Sequence, residues 1–227
     1  MSRSIAFYYE GSEISSGKLG ELIHQNGKKL SSSDVEILID TGRSRLFVIK
    51  NFTPDYFDYF HNLKLDLIHE PPIVVFGKQC NQRRNVRLFS NDSAGYYYSG
   101  QTIKSLPLDD NVMVSIMNKV NGSLGTKFNG ILVNEYTDGT KTVGAHPDNE
   151  DGLDKIKSCV AGIAYGATRL FRIRDMITNE IVLDHHHKPC SLIVMDGDFQ
   201  KEFKHEIPQQ KKIKDCRISL TFRHHIE

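Results

Sequence analysis

The sequence contains no C-x-x-C pair. Its four cysteines, Cys80, Cys159, Cys190 and Cys216, stand far apart, which argues against a structural zinc site or a disulfide scaffold and fits a reducing compartment. Long apolar runs are also missing. The opening MSRSIAFYYEGSE is too polar for a signal peptide, and no stretch approaches a membrane span. Net charge is nearly absent: 29 Lys and Arg face 28 Asp and Glu, for a balance of +1. Any binding of nucleic acid must therefore come from local patches. These absences describe a soluble intracellular protein with no membrane partner, nuclear in a eukaryote and cytoplasmic in a bacterium or virus.

The composition is globular, with 39% hydrophobic and 25% charged residues over 227 positions, enough for one large domain with its own core. Residues 1–40 are polar and rich in Ser, Lys and Gly, and read as a partly irregular N-terminal segment. RLFVIKNF (45–52) reads as a strand. TPDYFDYFHNLKLDLI (53–68) predicts a short helix capped by Thr53 with Pro54 at its first position. From residue 73 strand signals dominate: IVVFGK, VRLFS, GYYYSG, FNGILVNEY, CVAGIAYG, RLFRIR, EIVLD, CSLIVMDG, KEFKHEI and CRISLTFR, separated by turns. LDDNVMVSIMNKVN (108–121) is the one further helix. Many short strands at regular spacing suggest a sandwich or jelly roll. The expected fold class is mostly β with flanking helices (α+β), in a single domain over 46–227 after an N-terminal segment 1–45.

GAHPDNE (144–150) places His146 and Asp148 two residues apart among turn residues. A solvated loop would account for them, and so would half of a metal site. The distinction depends on a third ligand, since two His and one carboxylate make the facial triad of non-haem iron oxygenases. Among the ten histidines, His185, His186 and His187 are consecutive and cannot share one face of a strand. They sit where a strand is expected to end and read as solvated loop residues. His224 and His225, near the C-terminus, read as exposed. His24, His61 and His69 have no metal-like neighbours in the sequence. His205, in EFKHEI between Phe203 and Ile207, lies on a strand. In RISLTFR, Ile218, Leu220 and Phe222 share one face, while Arg217, Ser219, Thr221 and Arg223 share the other. The polar face could be solvated, or it could line a cavity whose guanidinium forks grip a dicarboxylate. Asn134 and Tyr136 of VNEY share a face in the same way.

The order N-x-Y, H-x-D, a distant His, then R-x5-R within RISLTFR resembles the AlkB-type Fe(II)/2-oxoglutarate-dependent dioxygenases, from about residue 46 to 223. The resemblance implies a double-stranded β-helix (jelly roll) core at about 128–223 with an N-terminal nucleotide-recognition lid at about 73–107. It implies that His146, Asp148 and His205 bind Fe(II). Arg217 would pair with the distal carboxylate of 2-oxoglutarate, and Arg223 would lie near its metal-chelating end. Asn134 and Tyr136 would hydrogen-bond the same co-substrate, with Ser219 and Thr221 beside them. Ser219 stands where the family usually has Asn, which shortens the reach of that donor.

The first half carries the resemblance further. VVFGK (74–78) is similar to the wedge segment of the members that repair double-stranded DNA, with Phe76 entering the duplex and Lys78 beside it. GYYYSG is similar to a strand of the lid and would put Tyr96, Tyr98 and Ser99 at the flipped base, with Glu150 near its exocyclic amine. RRNVR (83–87) is either a solvated basic turn or a phosphate contact. The implied reaction uses Fe(II), 2-oxoglutarate and O2 to oxidise an N-methyl group of a base, which leaves as formaldehyde. The base must be flipped out of the duplex, with Tyr98 and His146 the expected sides of its stack. 1-Methyladenine and 3-methylcytosine in duplex DNA are the expected lesions, handled by a monomer. The alternatives are the same chemistry on RNA or on a protein, a non-catalytic nucleic-acid-binding jelly roll, and a zinc hydrolase, which would leave the paired arginines and N-x-Y without a task.

Overall fold

The computed structural model describes residues 7–9, 12–14, 34–63, 66–75, 77–93, 95–98, 101–149, 153 and 159–226, with backbone alone at 7–9, 12–14, 75, 96–98 and 101. In chain order the elements begin with β1 (Phe7–Tyr9), β2 (Ser12–Ile14), β3 (Val35–Asp40), β4 (Ser44–Ile49) and α1 (Phe57–Asn62). Next come β5 (Pro72–Val75), β6 (Lys78–Asn81), β7 (Asn85–Ser90), β8 (Gly95–Tyr98), β9 (Gln101–Lys104) and α2 (Asn111–Leu124). The remainder is β10 (Gly130–Tyr136), β11 (Val143–His146), β12 (Val160–Gly166), β13 (Arg169–Asp175), β14 (Ile181–His187), β15 (Leu192–Gly197), α3 (Phe199–Glu202), β16 (Phe203–Ile207) and β17 (Arg217–Arg223).

Two antiparallel sheets carry the domain. The major sheet has the order β3-β4-β15-β12-β17-β10-β7 and the minor sheet β11-β16-β13-β14. β1–β2, β5–β6 and β8–β9 are separate hairpins. The central strands of the major sheet are buried on both faces, which is why VAGIAYG and LIVMDG read as nearly continuous apolar runs. One face packs Phe47, Val133, Ile163 and Leu220 against Phe60 of α1 and against Met113, Ile116 and Val120 of α2. The other face packs Leu46, Val160 and Met195 against Phe171, Ile173 and Phe203 of the minor sheet. This is the jelly roll expected from the strand spacing, with the helices outside.

Local chemistry sets the ends of α2. The Asp110 side chain accepts from the Met113 N–H at 2.8 Å, and Gly125 closes the helix at φ 67, a left-handed conformation that glycine adopts without cost. α1 is shorter than the expected 53–68 helix. Thr53 does not cap it; its hydroxyl is buried and lies 3.1 Å from the Tyr165 hydroxyl. Tyr56 occupies the N-cap with no side-chain bond. The irregular segment also ends earlier than expected, because residues 35–40 form β3 and pair with β4 at the sheet edge.

The histidine run is a further correction. β14 continues through His187, and His187 is buried at 1% exposure. His225 is buried as well, and its backbone N–H donates to the Asn129 side chain at 2.7 Å.

One buried cation ties the loops below the cavity. Arg169 is fully buried and donates to four oxygens: Gln210 Oε1 at 3.2 Å, and the carbonyls of Asp138, Lys141 and Pro208 at 2.9, 2.8 and 2.9 Å. Arg169→Met removes all four donated hydrogen bonds and should cost ~3 kcal/mol, read from urea unfolding. Arg169→Lys should recover only part, because an ammonium cannot span the fork.

Candidate active site

β11 and β16 pair antiparallel with His146 directly opposite His205, so both rings leave the same face of the minor sheet. Their centroids are 4.5 Å apart. Asp148 follows two residues after His146, and its backbone N–H donates to Gln200 Oε1 at 2.7 Å, which fixes the turn beyond the strand. His146 Nε2 is 3.5 Å from Asp148 Oδ1, and His205 Nε2 is 3.8 Å from Asp148 Oδ2. One ligating atom from each residue lies within 4.8 Å of the other two. The structure brings these three residues together.

The electrostatics suit a cation. Burial alone would raise the Asp148 carboxyl; the Arg223 guanidinium, with His205 and His146, outweighs it and holds the group well below the usual carboxylate range. Arg223 Nη2 donates to Asp148 Oδ1 at 2.5 Å. Burial pushes the His205 imidazole down to about 3 in spite of Asp148, so it is neutral and keeps a lone pair to offer. Phe171 stacks on His205 at 5.3 Å and 18°. His146 Nδ1 sits 2.8 Å from the Gly144 carbonyl and donates to it, which turns Nε2 toward Asp148.

The triad opens onto a cavity of about 540 Å³, part of it continuous with solvent. Asn134, Tyr136, Arg217, Ser219, Thr221 and Arg223 all line it. β17 therefore alternates as expected, with Ile218, Leu220 and Phe222 in the helix-side core. Arg217 is buried, and burial lowers its guanidinium to about 10, still charged at neutral pH.

Three residues of the site were not singled out from the sequence. His187 lines the cavity and lies against Arg217, with Nδ1 3.1 Å from Arg217 Nη2 and its carbonyl 3.3 Å from Nη1. Burial and Arg217 push its imidazole down to about 3. Its Nε2 donates to the Ser191 carbonyl at 3.1 Å, so Nδ1 must accept from the guanidinium. Arg84, within the basic RRNVR stretch, is buried and faces the cavity, with Nε donating to Gln82 at 3.1 Å. Gln200 is the third. Elsewhere in that stretch, Arg87 pairs with Asp66.

Several buried polar atoms make no hydrogen bond among the described residues: Asp148 Oδ2, His205 Nδ1, Asn134 Oδ1 and Arg217 Nε. Buried atoms of this kind call for a ligand. Two imidazoles and a carboxylate suit Fe(II), and donors around a guanidinium suit a small dicarboxylate. The residues present fit both.

The substrate-side expectations fall differently. Lys78 begins β6, exposed, in register with Val75 of β5. Tyr96 and Tyr98 lie on β8, described by backbone alone. Phe76, Ser99 and Glu150 lie outside the described residues.

The family model "2OG-Fe(II) oxygenase superfamily" matches residues 62–223. The chain belongs to that superfamily. Within it the chain is of the AlkB type. It is 30% identical over 140 residues to the alpha-ketoglutarate-dependent dioxygenase alkB homolog 3 of Bos taurus, covering 56% of this chain and 47% of the relative. It is 30% identical over 162 residues to the DNA oxidative demethylase ALKBH2 of Homo sapiens, covering 66% and 60%. The ALKBH2 of Arabidopsis thaliana matches at 28% over 220 residues, covering 82% and 68%. The chain thus spans about half to three-fifths of the length of the first two. The structure of OsALKBH1 superposes with a TM-score of 0.56 at 15% identity, over 84% of this chain and all of that one, which is a likeness of fold. The superfamily's cofactors are Fe(II) and 2-oxoglutarate, with O2.

A metal held by the triad stabilises the folded chain by mass action. At a hundredfold excess over Kd, Mn(II) should add ~2.7 kcal/mol, and His146→Ala should remove that increment without unfolding the protein, as thermal melts would show.

Proposed function

We propose that the protein is an oxidative demethylase of N-alkylated nucleobases, 1-methyladenine and 3-methylcytosine in DNA. The carrying observation is the meeting of His146, Asp148 and His205 at a cavity lined by Arg217 and Arg223. The names of the ALKBH2 relatives, DNA oxidative demethylases, supply the substrate class. Fe(II) with 2-oxoglutarate and O2 supplies the oxidation of a methyl C–H bond, which no side chain can perform.

The chain's own residues then have positioning tasks. His146, Asp148 and His205 hold the iron. Arg223 keeps Asp148 ionised and oriented through the 2.5 Å contact. Arg217 pairs with the distal carboxylate of 2-oxoglutarate, and His187 limits the swing of that guanidinium. Asn134, Tyr136, Ser219 and Thr221 contribute hydrogen bonds around the co-substrate. Ser219 is shorter than the family's usual Asn, and the His187–Arg217 contact adds restraint beside it.

The segment 73–107 serves as the nucleotide-recognition lid on a single domain spanning 46–227, with the jelly-roll core over 128–223. β7, within that segment, is an edge strand of the major sheet, so the lid's working parts are the β5–β6 and β8–β9 hairpins. Phe76 enters the duplex as a wedge with Lys78 close to the backbone. Tyr96, Tyr98 and Ser99 receive the flipped base, Tyr98 stacking opposite His146, and Glu150 faces its exocyclic amine. A methylated Watson–Crick edge pairs poorly, which lowers the cost of flipping and gives selectivity before chemistry. The protein works as a monomer, in the nucleus of a eukaryote or the cytoplasm of a bacterium or virus.

The test is release of the methyl group from oligonucleotides carrying 1-methyladenine, followed by mass spectrometry on single-stranded DNA, duplex DNA and RNA in parallel. Turnover on DNA that disappears in His146→Ala is expected. Turnover on RNA alone, or 2-oxoglutarate consumption without demethylation, would replace the substrate and leave the site. Phe76→Ala should reduce activity on duplex and spare the single strand. His187→Leu, which keeps volume and removes the acceptor, should raise KM for 2-oxoglutarate roughly tenfold with kcat little changed.

A further inference from the structure

His61 gains metal-like neighbours only when the chain folds. It sits in the last turn of α1. There it meets Glu135 of β10 and Cys216, the residue before β17, with one ligating atom from each within 4.8 Å of the others. This is the same criterion of closeness that His146, Asp148 and His205 meet. The two groups occupy opposite sides of the major sheet. Asn134 and Tyr136 line the cavity, so Glu135 between them points to the helix side, where Cys216 packs against the core.

Each donor is held. Glu135 Oε2 accepts from Asn85 Nδ2 at 2.6 Å, and Asn85 Oδ1 in turn accepts from the Glu70 N–H at 3.2 Å. The other carboxylate oxygen is turned toward Cys216 Sγ, at 3.9 Å. The Cys216 carbonyl accepts from the Ala167 N–H at 2.8 Å, which fixes the backbone at the thiol. The His61 ring lies flat against Phe57, centroids 5.3 Å apart at 15°. Carboxylate orientation by an amide beyond it is the usual support of a metal ligand.

We propose that His61, Glu135 and Cys216 form a second metal site, structural in role and suited to Zn(II). One sulfur, one nitrogen and one oxygen donor make a borderline-soft set, and Zn(II) accepts all three in tetrahedral geometry with water as the fourth ligand. Donors around such an ion stand about 3.3–3.8 Å apart, so the group must contract by at most ~1.5 Å. The exposed His61 side chain, on a helix of six residues, can supply that movement. On binding, the Cys216 S–H bond breaks, the sulfur pair bonds the metal and the proton goes to solvent.

The three donors come from separate elements, so the ion would pin α1 to the ends of β10 and β17. Cys216 directly precedes Arg217, and Glu135 lies between Asn134 and Tyr136. The second metal therefore braces, from behind, the strands that carry the cavity's polar face.

The full-length chain, stripped of metal, is titrated with Co(II) and followed by its optical spectrum and by bound metal per chain. Two equivalents are expected. A thiolate-to-cobalt charge-transfer band should belong to the second site alone, since the triad contains no sulfur. His61→Ala and Cys216→Ser should each abolish the band and reduce binding to one equivalent, while His146→Ala keeps the band. His61 is exposed, so its variant decides if the Cys216 variant misfolds. A single equivalent without the band in the unaltered chain, or a band that survives His61→Ala, overturns the proposal.

Discussion

Everything in the domain depends on strand β17 facing two environments at once. It lies between β10 and β12 in the interior of the major sheet, paired with β10 from Arg217 to Arg223 and with β12 from Arg217 to Phe222. Its even residues fill the helix-side core and its odd residues the cavity. A slip of one residue would bury two guanidiniums among Phe and Ile and empty the cavity of its charges. The paired neighbours make that slip expensive, since every ladder bond would have to shift with it.

The second constraint is the charge held inside. Asp148 and Arg223 are both buried, and each makes the other tolerable there. Two imidazoles beside this pair give a region that is polar, largely buried and incompletely satisfied. Such a site favours a cation and an anionic partner over water, because both complete bonds that the protein leaves open.

The parts of the fold legible in the sequence are those written in short range. The alternation of RISLTFR, the two-residue step from His146 to Asp148 and the helix expected at 108–121, found at 111–124, need only local chemistry. What stayed hidden depends on tertiary partners. Arg84 sits in a basic run that looks like a solvated turn, and only the folded chain buries it. His187 follows two other histidines at an expected strand end, and its meaning comes from Arg217, thirty positions on. Thr53 looked like a helix cap because the hydroxyl of Tyr165, its real companion, is more than a hundred residues away. His61, Glu135 and Cys216 are separated so widely that no spacing pattern could join them.

The strand order has a consequence in time. β4 pairs with β15, at Ser44 with Gly197 and Ile49 with Leu192, and the central β17 joins β10 to β12. During synthesis, β10 and β12 both leave the ribosome before the strand that must lie between them. The early strand β4 waits longer still for its neighbour. The sheet cannot assemble progressively from its start; it must close in a late, concerted step dominated by distant pairings, the regime of milliseconds to seconds. Until then β4 has only β3 beside it and β10 only β7, and a nascent chain of this protein is a natural client for chaperones.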